Sequence, residues 1–158
     1  MRYLIKYTKE SNIKFISHLD IMRTIQKVVR RAELPVKYSQ GFNPHMALSI
    51  AQPLGVGVYS SGEYMDLILV EEMDVQEIID RLNEKSASGI KFMTATQIPP
   101  TEPNEKKMPQ AMAMIDACRY TIKINYTSVE DLEEEVKALF EKNEWITLKK
   151  SKKAEKEV

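Results

Sequence analysis

Two histidines, one cysteine and a cluster of arginines and lysines are the residues of this 158-residue chain whose types could do chemistry. His18 and His45 are the candidates for general acid or base work, because imidazole titrates near neutral pH. Together they supply at most half a zinc site, and the single Cys118 excludes an internal disulfide and any multi-cysteine metal centre. No metal or cofactor is therefore expected in this chain. Arg23, Lys27, Arg30 and Arg31 recur at intervals of four, three and one, which places them on one side of a helix. Guanidinium groups grip phosphates bidentately, so such a face is an electrostatic footprint for RNA. The same spacing describes an ordinary solvated face, or a dock for an acidic protein surface. Acids occur only at its two ends, as Asp20 and Glu33.

Ser17-His18-Leu19-Asp20 reads as a helix start, with Ser17 and Asp20 as a capping pair and His18 in the first turn. Free amides at that turn could also receive a phosphate or carboxylate. Ser39-Gln40-Gly41-Phe42-Asn43-Pro44-His45 reads as an elaborate loop. Gly41 permits a backbone angle that other residues avoid, and Asn43-Pro44 favours a turn. Phe42 is expected as a core anchor, with a base-stacking platform as the alternative, and Asn43 and His45 offer hydrogen bonds at the tip. Gly55-Val56-Gly57 lacks the lysine and the strand–helix context of a phosphate loop. Glu63 is open to an ion pair with Arg30 or Arg31, or to flanking a strand. Cys118 reads as a small strand residue, and the terminal lysines as solvated.

The elements that must position these residues follow from hydrophobic period. Residues 2–8 alternate as a strand, with Tyr3, Ile5 and Tyr7 on one face and Leu4 and Lys6 on the other. Leu19, Met22, Ile25, Val29 and Ala32 form the expected buried stripe of the first helix, which stops before Pro35. Strands are expected at Met46–Ala51, Met65–Val70 and Ile90–Thr96, and a helix from Asp74 with Val75, Ile78, Ile79 and Leu82 inward. The expected class is α+β: a ferredoxin-like βαββαβ domain over residues 1–97. A proline-rich linker follows over 98–114. Residues 115–158 then read as a partial second ferredoxin-like βαβ unit, expected to be cut short. Its elements are a strand at Tyr120, Ile122 and Ile124, a helix with Leu132, Val136, Leu139 and Phe140 inward, and a strand at Trp145–Leu148.

A hydrophobic fraction of 43% supports a real core. No apolar run is long enough for a bilayer and the N-terminus has no signal-peptide pattern, so the expected location is cytoplasmic, with no membrane partner. The formal net charge is zero, yet residues 1–50 carry nine Lys/Arg against three Asp/Glu. That local excess of cations points to an anionic partner for the N-terminal part.

Phe15-Ile16-Ser17-His18-Leu19-Asp20-Ile21-Met22-Arg23, Arg30-Arg31-Ala32-Glu33-Leu34-Pro35, Tyr38-Ser39-Gln40-Gly41-Phe42-Asn43-Pro44 and Pro53-Leu54-Gly55 resemble the radical-SAM-linked bacterial family of unknown function. The stretch from Phe15 to Glu63 that holds these motifs is about a third of the chain, and Met46 departs from the pattern where many relatives carry proline. The resemblance implies a partner: a radical-SAM protein with a cobalamin-binding-type domain, encoded alongside or fused. It also implies a neighbourhood of RNA-processing and ribosomal genes. One cysteine cannot hold a radical-SAM iron–sulfur cluster, so the catalytic cofactor would belong to the partner. Three functions are expected from this combination. The first is an accessory domain, without catalytic activity of its own, that presents tRNA or rRNA to the radical-SAM partner. The second is a metal-independent endoribonuclease using His18 or His45 with Arg23, and the third is a protein-docking module that binds no RNA.

Overall fold

The computed structural model describes residues 1–101, 104, 106–126, 131–144, 146, 148–150 and 155–157. They fall into two units, Met1–Cys118 and Arg119–Val158.

In the first unit the alternation at the N-terminus becomes β1 (Arg2–Lys9), whose every second residue is buried. Tyr3, Ile5, Tyr7 and Lys9 face the core; the surprise is the lysine, only 2% exposed. α1 (His18–Arg31) follows, capped by the Ser17 hydroxyl, which accepts from the Asp20 amide. Its buried residues are Ile21, Ile25, Val28 and Val29, continued by Ala32. Leu19, expected in this stripe, is 62% exposed. Ile21 and Val28 take the inward positions, because the helix is rotated so that its stripe centres on Ile21, Ile25 and Ala32. Glu33 adopts a left-handed φ of 52° just past the helix, and Pro35 prevents its continuation.

β2 (Leu48–Ile50), β3 (Ser60–Ile68), α2 (Val75–Glu84) and β4 (Phe92–Ile98) complete the unit. The sheet is antiparallel with strand order β2-β3-β1-β4. β3 starts five residues before the apolar run at Met65, because backbone pairing to β1 carries Ser60, Glu63 and Tyr64 into the ladder whatever their polarity. The core-facing side of this sheet and the buried residues of α1 and α2 form one cluster with Phe92, Met65, Leu67 and Leu69. Two polar links fix the approach of α2. The Tyr3 hydroxyl donates to the Met73 carbonyl at 3.0 Å and accepts from the Met73 amide at 2.9 Å, seating the turn before α2. Asn83 mimics a neighbouring strand, its side-chain amide exchanging bonds of 2.8 and 2.9 Å with the Phe92 carbonyl and amide.

The second face of the sheet carries a strap instead of a helix. Arg2 donates to Asp66 through Nε at 2.8 Å, and to the carbonyls of Met108 and Pro109 at 2.9 and 2.7 Å. The Ala111 amide donates to the other Asp66 oxygen at 2.8 Å. The proline-rich stretch is thereby anchored at 108–111, with Ala111 buried.

The second unit contains α3 (Leu132–Phe140) and an antiparallel pair of β5 (Leu148–Lys150) and β6 (Glu155–Glu157). Tyr126 donates a hydrogen bond to Glu135. The strand expected at Tyr120–Ile124 is absent: these residues are coil with no ladder partner among the described residues, and their side chains are exposed. An alternating pattern supplies strand propensity but not the neighbour a strand requires. Leu132, Val136, Leu139 and Phe140, expected inward, are likewise exposed, because no described residue packs over them. Trp145 and Thr147 of the last expected strand lie outside the described residues. The described architecture is α+β, with a four-stranded antiparallel sheet and three helices, none of which is long and apolar enough to cross a membrane.

Candidate functional site

α1 divides cleanly. Opposite its buried stripe, Arg23, Lys27, Arg30 and Arg31 are all exposed. Arg23 bonds Asp20 at 2.9 Å, and the Ser17 hydroxyl also donates to that carboxylate at 2.7 Å. The Ser17 and Arg23 hydrogen bonds hold the Asp20 carboxyl below the usual carboxylate range. Lys27, Arg30 and Arg31 form no ion pair among the described residues. Arg30 and Arg31 complement the negative end of the helix dipole; that role leaves their guanidinium groups open to an external anion.

The loop between Tyr38 and Met46 projects from the same end of the sheet. A bridge pairs Tyr38 with Met46, and the Ser39 amide bonds the His45 carbonyl at 2.8 Å while the His45 amide bonds the Ser39 hydroxyl at 2.8 Å. Gly41 at the turn has a φ of 131°. Gly41, Phe42, Asn43, Pro44 and His45 are all exposed, and Phe42 is 109% exposed. It is not the core anchor expected of it: the loop is closed by backbone and Ser39 bonds, so its aromatic residue is free to point outward. Just beyond α1, Val36 bridges Leu69, which bonds the Met1 carbonyl at 2.8 Å. Arg30, Arg31 and Phe42 therefore share the end of the sheet where β1 begins.

His18 lies at the other end. It lines a narrow cavity with Tyr7, Lys9, Ile21, Ile50, Gln52 and Leu54. The Lys9 ammonium donates to the Lys14 and Ile16 carbonyls at 3.1 and 3.0 Å, and the Gly57 amide also bonds Lys14 at 2.8 Å. The Phe15–Asp20 and Pro53–Gly55 motifs thus meet around one buried lysine. Burial lowers the Lys9 ammonium below its usual value, and the Glu63 charge opposes that shift. Burial raises the Glu63 carboxyl, with Ser60 and Lys9 pulling it back. Burial and then Glu63 push the Tyr7 phenol well upward, so it stays neutral. Glu63 makes no ion pair with Arg30 or Arg31 among the described residues; it sits opposite Tyr7 in the ladder, at the far end of α1.

The structure does not bring His18 and His45 together. β1 has eight residues, a span of roughly 25 Å, and the two histidines mark its opposite ends. No serine, threonine or cysteine lines the cavity beside His18. Gly55 lies in the exposed loop before β3, and Cys118 is exposed coil, not the strand residue expected. No group of three or more potential metal ligands occurs among the described residues.

Over residues 2–158 the chain matches a family described as "Uncharacterized protein conserved in bacteria (DUF2344)". It belongs to that family. No curated protein matches the chain. In this DUF2344 chain, the residues that sequence reasoning missed are Lys9 and Tyr7. A lysine in an alternating strand sits on the face given to apolar residues, and that register was the available signal. Asp66 and Arg2 were also missed, since nothing local marks a pair 64 residues apart.

Proposed function

We infer that this DUF2344 chain is an accessory module that holds RNA, tRNA or rRNA, and presents it to a radical-SAM catalytic partner. The observation that carries this reading is the outward face of α1, where Lys27, Arg30 and Arg31 stand exposed without carboxylate partners among the described residues. Phosphates would lie along these cations, and the sequence-independent attraction would be strongest where α1 ends. Phe42 would stack on a base beside them, with Asn43 and His45 contacting its edge. The radical-SAM partner is proposed from the four motifs between Phe15 and Gly55; it would supply the cofactor and the chemistry. The strand order β2-β3-β1-β4 with intervening α1 and α2 supports a ferredoxin-like reading of residues 1–97. A gel-shift experiment with bulk cellular RNA, with and without the radical-SAM protein, tests the whole reading. Formation of a ternary complex supports presentation, and RNA that binds neither chain sinks it.

A protein-docking role has its own support. Phe15, Leu19 and Val56 are 72%, 62% and 63% exposed in segments joined by the Gly57–Lys14 bond. On this reading the partner protein covers that apolar end and RNA affinity is negligible.

A further inference from the structure

The open face of the sheet, away from α1 and α2, has an unusual charge balance. Arg2, Leu4, Lys6 and Thr8 of β1 point to it, as do Tyr64 and Asp66 of β3 by register. Asp66 is the one carboxylate at these strand positions, and both its oxygens are occupied, by Arg2 and by the Ala111 amide. Glu63 faces the opposite side with Tyr7. Among the described residues the face is left with one cation that has no ion pair, Lys6, whose ammonium lies 5.8 Å from the centre of the Tyr64 ring. Gly62 makes this placement possible: a Cβ there would stand 2.7 Å from Lys6 Cε. Tyr64 is 38% exposed, and the hydroxyl residues Thr94 and Thr96 sit across β1 from it, opposite Lys6 and Leu4.

Next to Asp66 an open groove of about 180 Å³ runs between β2 and the strap, with Ser49 and Gln110 on its walls. The groove reaches Met46, the base of the loop that bears Phe42. Walls that join apolar Leu48 and Ile68 to the Ser49 hydroxyl, the Gln110 amide and the Arg2–Asp66 pair suit a flat heteroaromatic ring with polar edges, and an exposed aromatic ring beside a lysine suits its stacked neighbour.

We propose that this face, from the Ser49–Gln110 groove to the Lys6–Tyr64 pair, is a base-binding surface for single-stranded RNA. The proposal rests on the RNA reading above and adds to it: the substrate is unpaired at this point, and α1 holds its phosphates while the sheet takes its bases. Duplex RNA, whose bases are stacked inside, would engage α1 alone.

Anisotropy of a labelled 12-nucleotide oligouridylate and of an RNA duplex of the same length, each titrated with the full chain, tests this. Tyr64→Ala is expected to weaken the single strand roughly ten- to a hundredfold and leave the duplex unchanged. Tyr64→Phe, which keeps the ring, should restore the single-strand affinity and guard against misfolding. Unchanged single-strand affinity in Tyr64→Ala, with binding still lost on reversing Arg30 and Arg31, overturns this surface but spares the RNA reading. Absence of binding to either RNA by the unaltered chain overturns both.

Discussion

The Lys9 ammonium donates to the Ile16 carbonyl at 3.0 Å from within the core, so β1 itself holds the loop that launches α1. A second bond to Lys14 closes the clamp. Lysine is almost never this buried without partners, and here two main-chain carbonyls provide them. Lys9→Met keeps the volume and removes both bonds; the Lys14 carbonyl keeps the Gly57 amide, and the Ile16 carbonyl loses its donor. The expected loss is about 2–4 kcal/mol, measured by urea unfolding followed by circular dichroism. A loss near zero would mean that water replaces the ammonium without cost.

Glu63 sets a pH dependence. Burial raises its folded-state pKa above the ordinary 4.5, so the fold binds this proton more tightly than the unfolded chain does. Stability from this group is complete below about pH 4.5 and is lost as pH rises through the folded value. Glu63→Gln should therefore melt higher than the parent at pH 7 and match it at pH 3.5. Melting curves across that interval check the sign; a variant destabilised at pH 7 would show that attraction to Lys9 outweighs burial.

Asp66→Ala removes the anchor of the strap. Its carboxylate is 5% exposed and holds Arg2 and the Ala111 amide together. The expected cost is about 2–4 kcal/mol, because Arg2 keeps its charge in a partly buried place. The Met108–Ala111 segment should also become cleavable in limited proteolysis. Retained protection would place the anchoring in the Arg2 bonds to Met108 and Pro109.

What the sequence made legible was whatever repeats locally. Tyr3, Ile5 and Tyr7 announce β1 by their period, and Ser17 and Asp74 announce their helices by capping chemistry. Ile25, Val29 and Ala32 mark the inner side of α1, whereas Leu19 misleads because a helix's first turn need not be covered by the sheet. The basic face of α1 was legible for the same reason as the stripe opposite it. Lys9 was not, since its partners are carbonyls that every residue owns. Nor was the Arg2–Asp66 link, which depends on the register of β1 against β3. Tyr120, Ile122 and Ile124 show the converse failure: their alternation satisfies strand propensity, and no described strand lies beside them to make it a sheet.

Phe42 separates packing from recognition. A ring exposed on every side contributes nothing to the core, so Phe42→Ala should change stability by no more than about 0.5 kcal/mol. On the proposed reading it should still weaken RNA binding, by roughly five- to tenfold for one lost stack. Full RNA affinity in this variant would remove the loop from the interface.

The central claim is that the outer face of α1 holds RNA phosphates. Its most direct measurement is the salt dependence of RNA affinity for the full chain and for an Arg23→Glu, Arg30→Glu, Arg31→Glu variant. The account predicts that affinity falls steeply with salt, and that the variant loses binding at moderate salt. Where binding of the variant is still measurable, the log–log slope should be shallower by about 2, in keeping with roughly 0.7 per phosphate on a single strand. Equal affinities and equal slopes for the two proteins, or no binding at low salt, would contradict it and leave α1 as a surface for an acidic protein.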